Sequence, residues 1–123
     1  MKILLLIGSG SFIGGVLRYL LSQFIQNKTL AAFPFGTLMV NIAGCFFIGL
    51  IIGLMDRESF ATEWRFFLVT GLLGGFTTFS AFSMESVNLL RSGEISYAII
   101  YVVLSVVLGI LATLGAYHLA FKI

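Results

Sequence analysis

Charge is what this chain has least of. Of its 123 residues only 10% are Asp, Glu, Lys or Arg, against 59% apolar. That is too little charge to clothe a water-facing globule of this size, which excludes an ordinary soluble fold. Cysteine is confined to Cys45, in the middle of an apolar run, with no second thiol to pair with and no companion ligands for a metal. It is read as packing. Nowhere does a nucleophile stand with a base, and metal-ligand clusters, ATP-binding segments and proton relays are likewise missing, so the chain is not read as an enzyme or an energised pump. A nucleic-acid partner is not expected.

What is present in quantity is uninterrupted apolar sequence. The charges fall at Lys2, Arg18, Lys28, a group from Asp56 to Arg65, Glu85 with Arg91 and Glu94, and Lys122. Between them Thr29 to Met55, Phe66 to Met84 and Ile95 to Tyr117 are free of charge, as is Ile3 to Leu17 before Arg18 interrupts. A hydrocarbon core of roughly 30 Å needs about 20 helical residues. These runs therefore predict an all-α membrane protein with spans at Ile3 to Phe24, Thr37 to Met55, Arg65 to Leu90 and Ile95 to Phe121. They use most of the chain, which is read as one domain over residues 1–123. The first run has no small-x-small cleavage site before it continues through Tyr19 to Ile25, so it is expected to stay as a span and not to be cut as a signal peptide.

Four spans put both termini and the loop between the second and third on one side, with Lys2, Arg57, Arg65 and Lys122. The other side has Lys28 and Arg91, and Arg18 reaches toward it. Flanking Lys and Arg set orientation, and so near a balance leaves open one weakly fixed topology or insertion both ways up. Four short helices enclose little room for a pore, whereas two antiparallel copies form one along their interface. Gly10 with Gly14, Ser11 with Gly15, Gly49 with Gly53, and the stripe Ser105, Gly109, Ala112 and Ala116 permit close helix contact. They do not say whether the neighbour is in the same chain.

Polar side chains in the hydrocarbon are costly unless they face partners or water. Here they are mostly uncharged donors. Thr37, Asn41 and Gly44 share one face of the second span, and Tyr97, Tyr101 and Ser105 one face of the fourth. In the third, Gly71-Leu72-Leu73-Gly74-Gly75-Phe76-Thr77-Thr78-Phe79-Ser80-Ala81-Phe82-Ser83 sets glycines and hydroxyls near mid-membrane. Glycine and β-branched threonine weaken a helix, and a break around Gly74 to Thr78 would free carbonyls for a cation and amides for an anion. The alternative is that the glycines only allow close crossing while the hydroxyls bond back to their own helix. Phe79 and Phe82 share a face with Ser83 and Ser86. Their positive ring edges, with donors from Asn41, Ser80 and Ser105, suit an anion, although aromatics at this spacing also serve as packing. Asp and Glu are absent from the middle of the spans, where a proton-coupled exporter needs one.

The segments Gly14-Gly15-Val16-Leu17-Arg18-Tyr19, Gly36-Thr37-Leu38-Met39-Val40-Asn41-Ile42-Ala43-Gly44 and Gly74-Gly75-Phe76-Thr77-Thr78-Phe79-Ser80-Ala81-Phe82-Ser83 match a known pattern in order and spacing. By them the chain resembles the CrcB or Fluc fluoride channels over nearly its whole length, the third segment being the most specific. The resemblance implies an antiparallel dual-topology homodimer in the lipid bilayer, with a broken third helix and two fluoride pores lined by both subunits. It implies backbone carbonyls of Gly74 and Thr77 holding a structural sodium ion (Na+) at the dimer centre. Phe79 and Phe82 would face the permeating fluoride, Asn41 would donate to it, and Thr37, Ser80, Tyr101 and Ser105 would continue a polar track. Arg18 would sit near an aqueous vestibule, either concentrating anions or tying helices together. Glu85 matches a polar or acidic position to which the sequence assigns no role, and Ala81 stands where many relatives have threonine.

The function so implied is a passive fluoride-selective channel of the bacterial inner membrane, a multi-pass protein conferring fluoride resistance. Hydrogen fluoride crosses membranes as a neutral acid and ionises in the less acidic cytoplasm. An inside-negative potential then drives the anion out with about 2.3 kcal/mol per 100 mV. The alternative is a small dual-topology proton-coupled exporter, which relies on a first-span glutamate that is missing here; an assembly subunit that only packs beside a larger complex would need no break and carry no flux. Single cysteines at Lys28 and Ser59 on a Cys45→Ala background test the orientation: dual insertion gives partial labelling at both by an impermeant thiol reagent on intact cells. Complete labelling at one and none at the other excludes the antiparallel pair.

Overall fold

The computed structural model describes residues 1–29 and 32–123. The first helix is Lys2–Lys28, the second Phe35–Arg57 and the last Ile95–Ala120, while the third span, Thr62–Arg91, is interrupted. They hold 27, 23, 26 and 30 residues respectively, each enough to cross a bilayer. Among the described residues there is no strand. Each expected span is found, lengthened by a few residues at most ends. The first helix runs on because its polar end finds partners: Lys28 Nζ sits 4.4 Å from the centre of the Phe24 ring. Gln26 bridges the turn, its Nε2 donating to the Phe33 carbonyl and its Oε1 accepting from the Gly36 amide.

Helix pairing is set by glycine. The first helix packs on the N-terminal half of the third span so closely that a Cβ on Gly14 would stand 2.0 Å from the Leu72 carbonyl oxygen, and one on Gly75 would stand 2.5 Å from that of Ser11. The second helix packs on the last in the same manner, a Cβ on Gly49 falling 2.2 Å from the Thr113 carbonyl oxygen. The small-residue pairs Gly10 with Gly14 and Gly49 with Gly53 thus find their neighbours inside the chain. With lipid offering no hydrophobic contrast, such backbone-to-backbone contact is what associates membrane helices.

The third span departs from a plain helix twice. After one α-helical turn, Thr62–Arg65, the segment Phe66–Leu73 is π-helical, with bonds reaching five residues back, and it is this segment that lies against Gly10 and Gly14. Nothing in its apolar sequence marks that change. The second departure is a break at Thr77 and Thr78, after which the helix resumes as Phe79–Arg91. That helix ends in a Schellman turn: Glu94 N donates to the Leu89 carbonyl and Gly93 N to that of Leu90, with Gly93 at φ +82°. The outer faces of all four spans carry large apolar side chains open to the surroundings, as lipid contact requires.

Gly14→Ala should lower the stability of the purified protein by about 1–3 kcal/mol, because backbone must move to admit the methyl. Gly8→Ala, where a Cβ meets nothing within 4 Å, should not lower it. Thermal unfolding in detergent checks both.

Candidate functional site

At the break, Thr77 (φ −89°, ψ 155°) and Thr78 (φ −148°, ψ 119°) are extended between two helical pieces. Both sides of the Thr78 backbone are held by one side chain. Asn41 Nδ2 donates to the Thr78 carbonyl at 3.0 Å, and the Thr78 amide donates to Asn41 Oδ1 at 2.9 Å. The amide orientation is fixed by its partners, since a flipped Asn41 would set two donors face to face. Thr78 then caps the resumed helix, its Oγ1 accepting from the Ala81 amide at 3.2 Å. Thr77 turns its hydroxyl back onto the Leu73 carbonyl and lays its methyl against Gly44, where a Cβ would lie 2.2 Å from it.

This arrangement releases particular carbonyls. In an unbroken helix the Gly74 carbonyl would accept from the Thr78 amide and the Thr77 carbonyl from the Ala81 amide. Those amides go instead to Asn41 and to the Thr78 hydroxyl. The Gly75 carbonyl between them is taken by Arg18, whose Nε donates to it at 3.2 Å. Arg18 therefore ties the first helix to the third span.

A cavity of about 360 Å³ opens beside the break, lined by Asn41, Gly44, Gly74, Thr77, Thr78, Phe79, Phe82 and Ser105 among others. The Ser105 hydroxyl oxygen is buried there with no hydrogen-bond partner among the described residues. Phe79 is 80% exposed on the single chain. Its ring centre is 5.5 Å from that of Phe82, which lies 5.2 Å from Tyr101. Ser80 joins through Thr78, hydroxyl to hydroxyl at 3.2 Å.

Beyond Phe82 lies a residue to which the sequence gave no part. Glu85 accepts from Thr37 Oγ1 at one carboxyl oxygen and from the Tyr101 hydroxyl at the other, both at 2.7 Å. It is inside the third span, about 9 Å short of its end by helical rise, and it also lines a second cavity of about 320 Å³ with Ala32, Pro34, Asn88, Leu89 and Ser92. Glu85, Asn88 and Ser92 are spaced at i, i+3 and i+7, a signal that was there to be read.

The sequence-derived residues thus divide. Asn41, Phe79, Phe82, Ser105, Gly74 and Thr77 share one cavity, Thr37 and Tyr101 meet at Glu85, and Arg18 stands apart at Gly75. Tyr97 leaves the track and packs edge-on to Phe33. Hydroxyls bonding back to their own helix also occur, at Thr77 and at Ser86.

Residues 5–117 match the family model described as CrcB-like protein, Camphor Resistance (CrcB). The chain is 46% identical over 114 residues to the fluoride-specific ion channel FluC of Flavobacterium psychrophilum, covering 92% of each. It is 44% identical over 113 residues to that of Rhizobium meliloti, covering 91% of this chain and 90% of the relative. With fluoride-specific ion channel FluC 1 of Methanosarcina acetivorans it shares 48% over 113 residues, 91% of this chain and 86% of the other.

Tyr101→Phe should destabilise the fold by about 1–3 kcal/mol, the cost of leaving a Glu85 oxygen short of a donor. Combined with Glu85→Leu, the second change should add little. A double-mutant cycle on thermal unfolding should therefore return a coupling above about 0.5 kcal/mol.

Proposed function

The chain belongs to the CrcB family, and from that premise we propose that it is a passive, fluoride-selective channel exporting cytoplasmic fluoride through two pores at the interface of an antiparallel homodimer. It is a multi-pass protein of the plasma membrane and not an enzyme. The observation that carries the fluoride reading is the buried, partnerless hydroxyl of Ser105 in a cavity shared with Phe79, Phe82 and Asn41. Every side-chain polar atom that this cavity offers an occupant comes from an amide or a hydroxyl, and the rings offer positive edges, which is a lining for an anion. The helix resuming at Phe79 adds the positive end of its dipole.

The path we propose runs from this cavity past Phe82 to Glu85 and the second cavity. Thr37 and Tyr101 have committed their hydroxyl protons to Glu85. An anion on the track must take those donors from the carboxyl group as it passes. Two copies are needed because Gly74 and Phe79 are exposed on the single chain at mid-span, where lipid supplies no donor to a freed carbonyl and no polar contact to the pore. The carbonyls of Gly74 and Thr77 are hard oxygen donors cut loose from their helical amides, a set that fits a sodium ion shared with the same pair of a second copy. When bound, that ion neutralises carbonyl dipoles at the centre of the dimer. The Arg18 guanidinium places a fixed positive charge close by.

Reconstituted protein should release fluoride from liposomes without an imposed proton gradient and discriminate against chloride; equal efflux of the two would sink the substrate. Phe79→Ile and Phe82→Ile keep apolar bulk but lose the ring edge. Each should cut fluoride flux at least about tenfold, roughly 1.4 kcal/mol on the barrier, with dimer yield near wild type. Full flux in both would make the rings mere packing.

A further inference from the structure

We propose that Asn41 is a positioning residue that, by gripping the peptide between Thr77 and Thr78, sets the direction of the Thr77 carbonyl and keeps the Gly74 carbonyl free, so that one side chain ties the cation site to the anion path. The inference rests on the sodium reading above. The Thr77 carbonyl and the Thr78 amide belong to one peptide group, and the chain has no cis peptide bond. In a trans peptide the two bonds point in opposite directions. With the amide fixed on Asn41 Oδ1 at 2.9 Å, the Thr77 carbonyl is aimed away from the second helix.

The same bond has a second consequence. Without it, the Thr78 amide has a ready alternative in the Gly74 carbonyl, its helical partner. Healing the helix in this way would consume that carbonyl and reorient the other. Asn41 opposes this by satisfying both polar groups of Thr78, which inside a bilayer would otherwise go unpaired. Its Nδ2 carries two protons and the Thr78 carbonyl takes one. The remaining proton belongs to a residue lining the cavity with Phe79, Phe82 and Ser105. One amide group therefore spends its oxygen on the break and has a donor left for the anion.

Thermal stability of the purified protein, titrated with sodium chloride at constant ionic strength against N-methylglucamine chloride, tests this without measuring flux. Wild type should gain stability with Na+. Asn41→Ala should need at least about tenfold more Na+ for half the gain, because binding linkage then carries the cost of reopening the break. Asn41→Asp retains an oxygen for the Thr78 amide and adds negative charge, so its half-point should equal wild type or fall below it. If Asn41→Ala does not fold, Asn41→Ser takes its place. A wild-type half-point in the alanine or serine variant overturns the proposal and leaves Asn41 as an anion donor only. A wild-type protein indifferent to Na+ overturns the sodium reading itself, and this link with it, before any variant is made.

Discussion

Inside a bilayer, a peptide group cut out of a helix has only protein to turn to. The structure is organised around meeting that demand at two consecutive residues. Thr78 has its carbonyl and amide taken by Asn41, the resumed helix has its third amide taken by the Thr78 hydroxyl, and the Gly75 carbonyl is taken by Arg18. Each partner comes from a different place: the second helix, the break itself and the first helix. Gly44 is held to a hydrogen because the Thr77 methyl occupies the space a side chain would need. What escapes these arrangements, the carbonyls of Gly74 and Thr77, is what is left to meet something outside the chain.

The same economy of donors runs along the track. At its inner part the donors are idle, with Ser105 buried and unpartnered; farther on they are engaged, Thr37 and Tyr101 both bonded to Glu85. An ion thus moves from a place that offers free protons to one where they must be won. The aromatic rings lie between, with Phe82 touching both ends through Phe79 and Tyr101.

Much of this was legible in residue order because membrane spans declare themselves by length and by the absence of charge. The four helices lie where the apolar runs predicted, and the cluster of glycine and threonine marked the break. The residues left two readings of that cluster open, and the structure contains both, since Thr77 bonds back to its helix while its neighbour Thr78 does not. The small-residue pairs could not name their partners because spacing gives a face and not what lies against it; here those faces meet within the chain. Two things were illegible. The π-helical segment Phe66–Leu73 follows from backbone fitting against glycines on another helix, which no local pattern encodes. Glu85 acquires its place only when Thr37 and Tyr101, far apart in sequence, reach it from two other helices.

The two glycine-fitted contacts also bear on how the chain is made. Arg18 reaches Gly75 across 57 positions and Thr113 reaches Cys45 across 68. Neither of the first two helices meets its main partner until most of the chain has been synthesised. Each must therefore survive as a separate helix, bathed in lipid with its glycine face uncovered, through the greater part of translation. Only their length and apolarity can keep them there, which is the regime in which insertion comes first and association second. The long sequence separation of the contacts makes the second stage the slow one. A newly inserted chain thus spends its early life as loose helices, and the break, which needs the second helix and both halves of the third span in place, is among the last features to form.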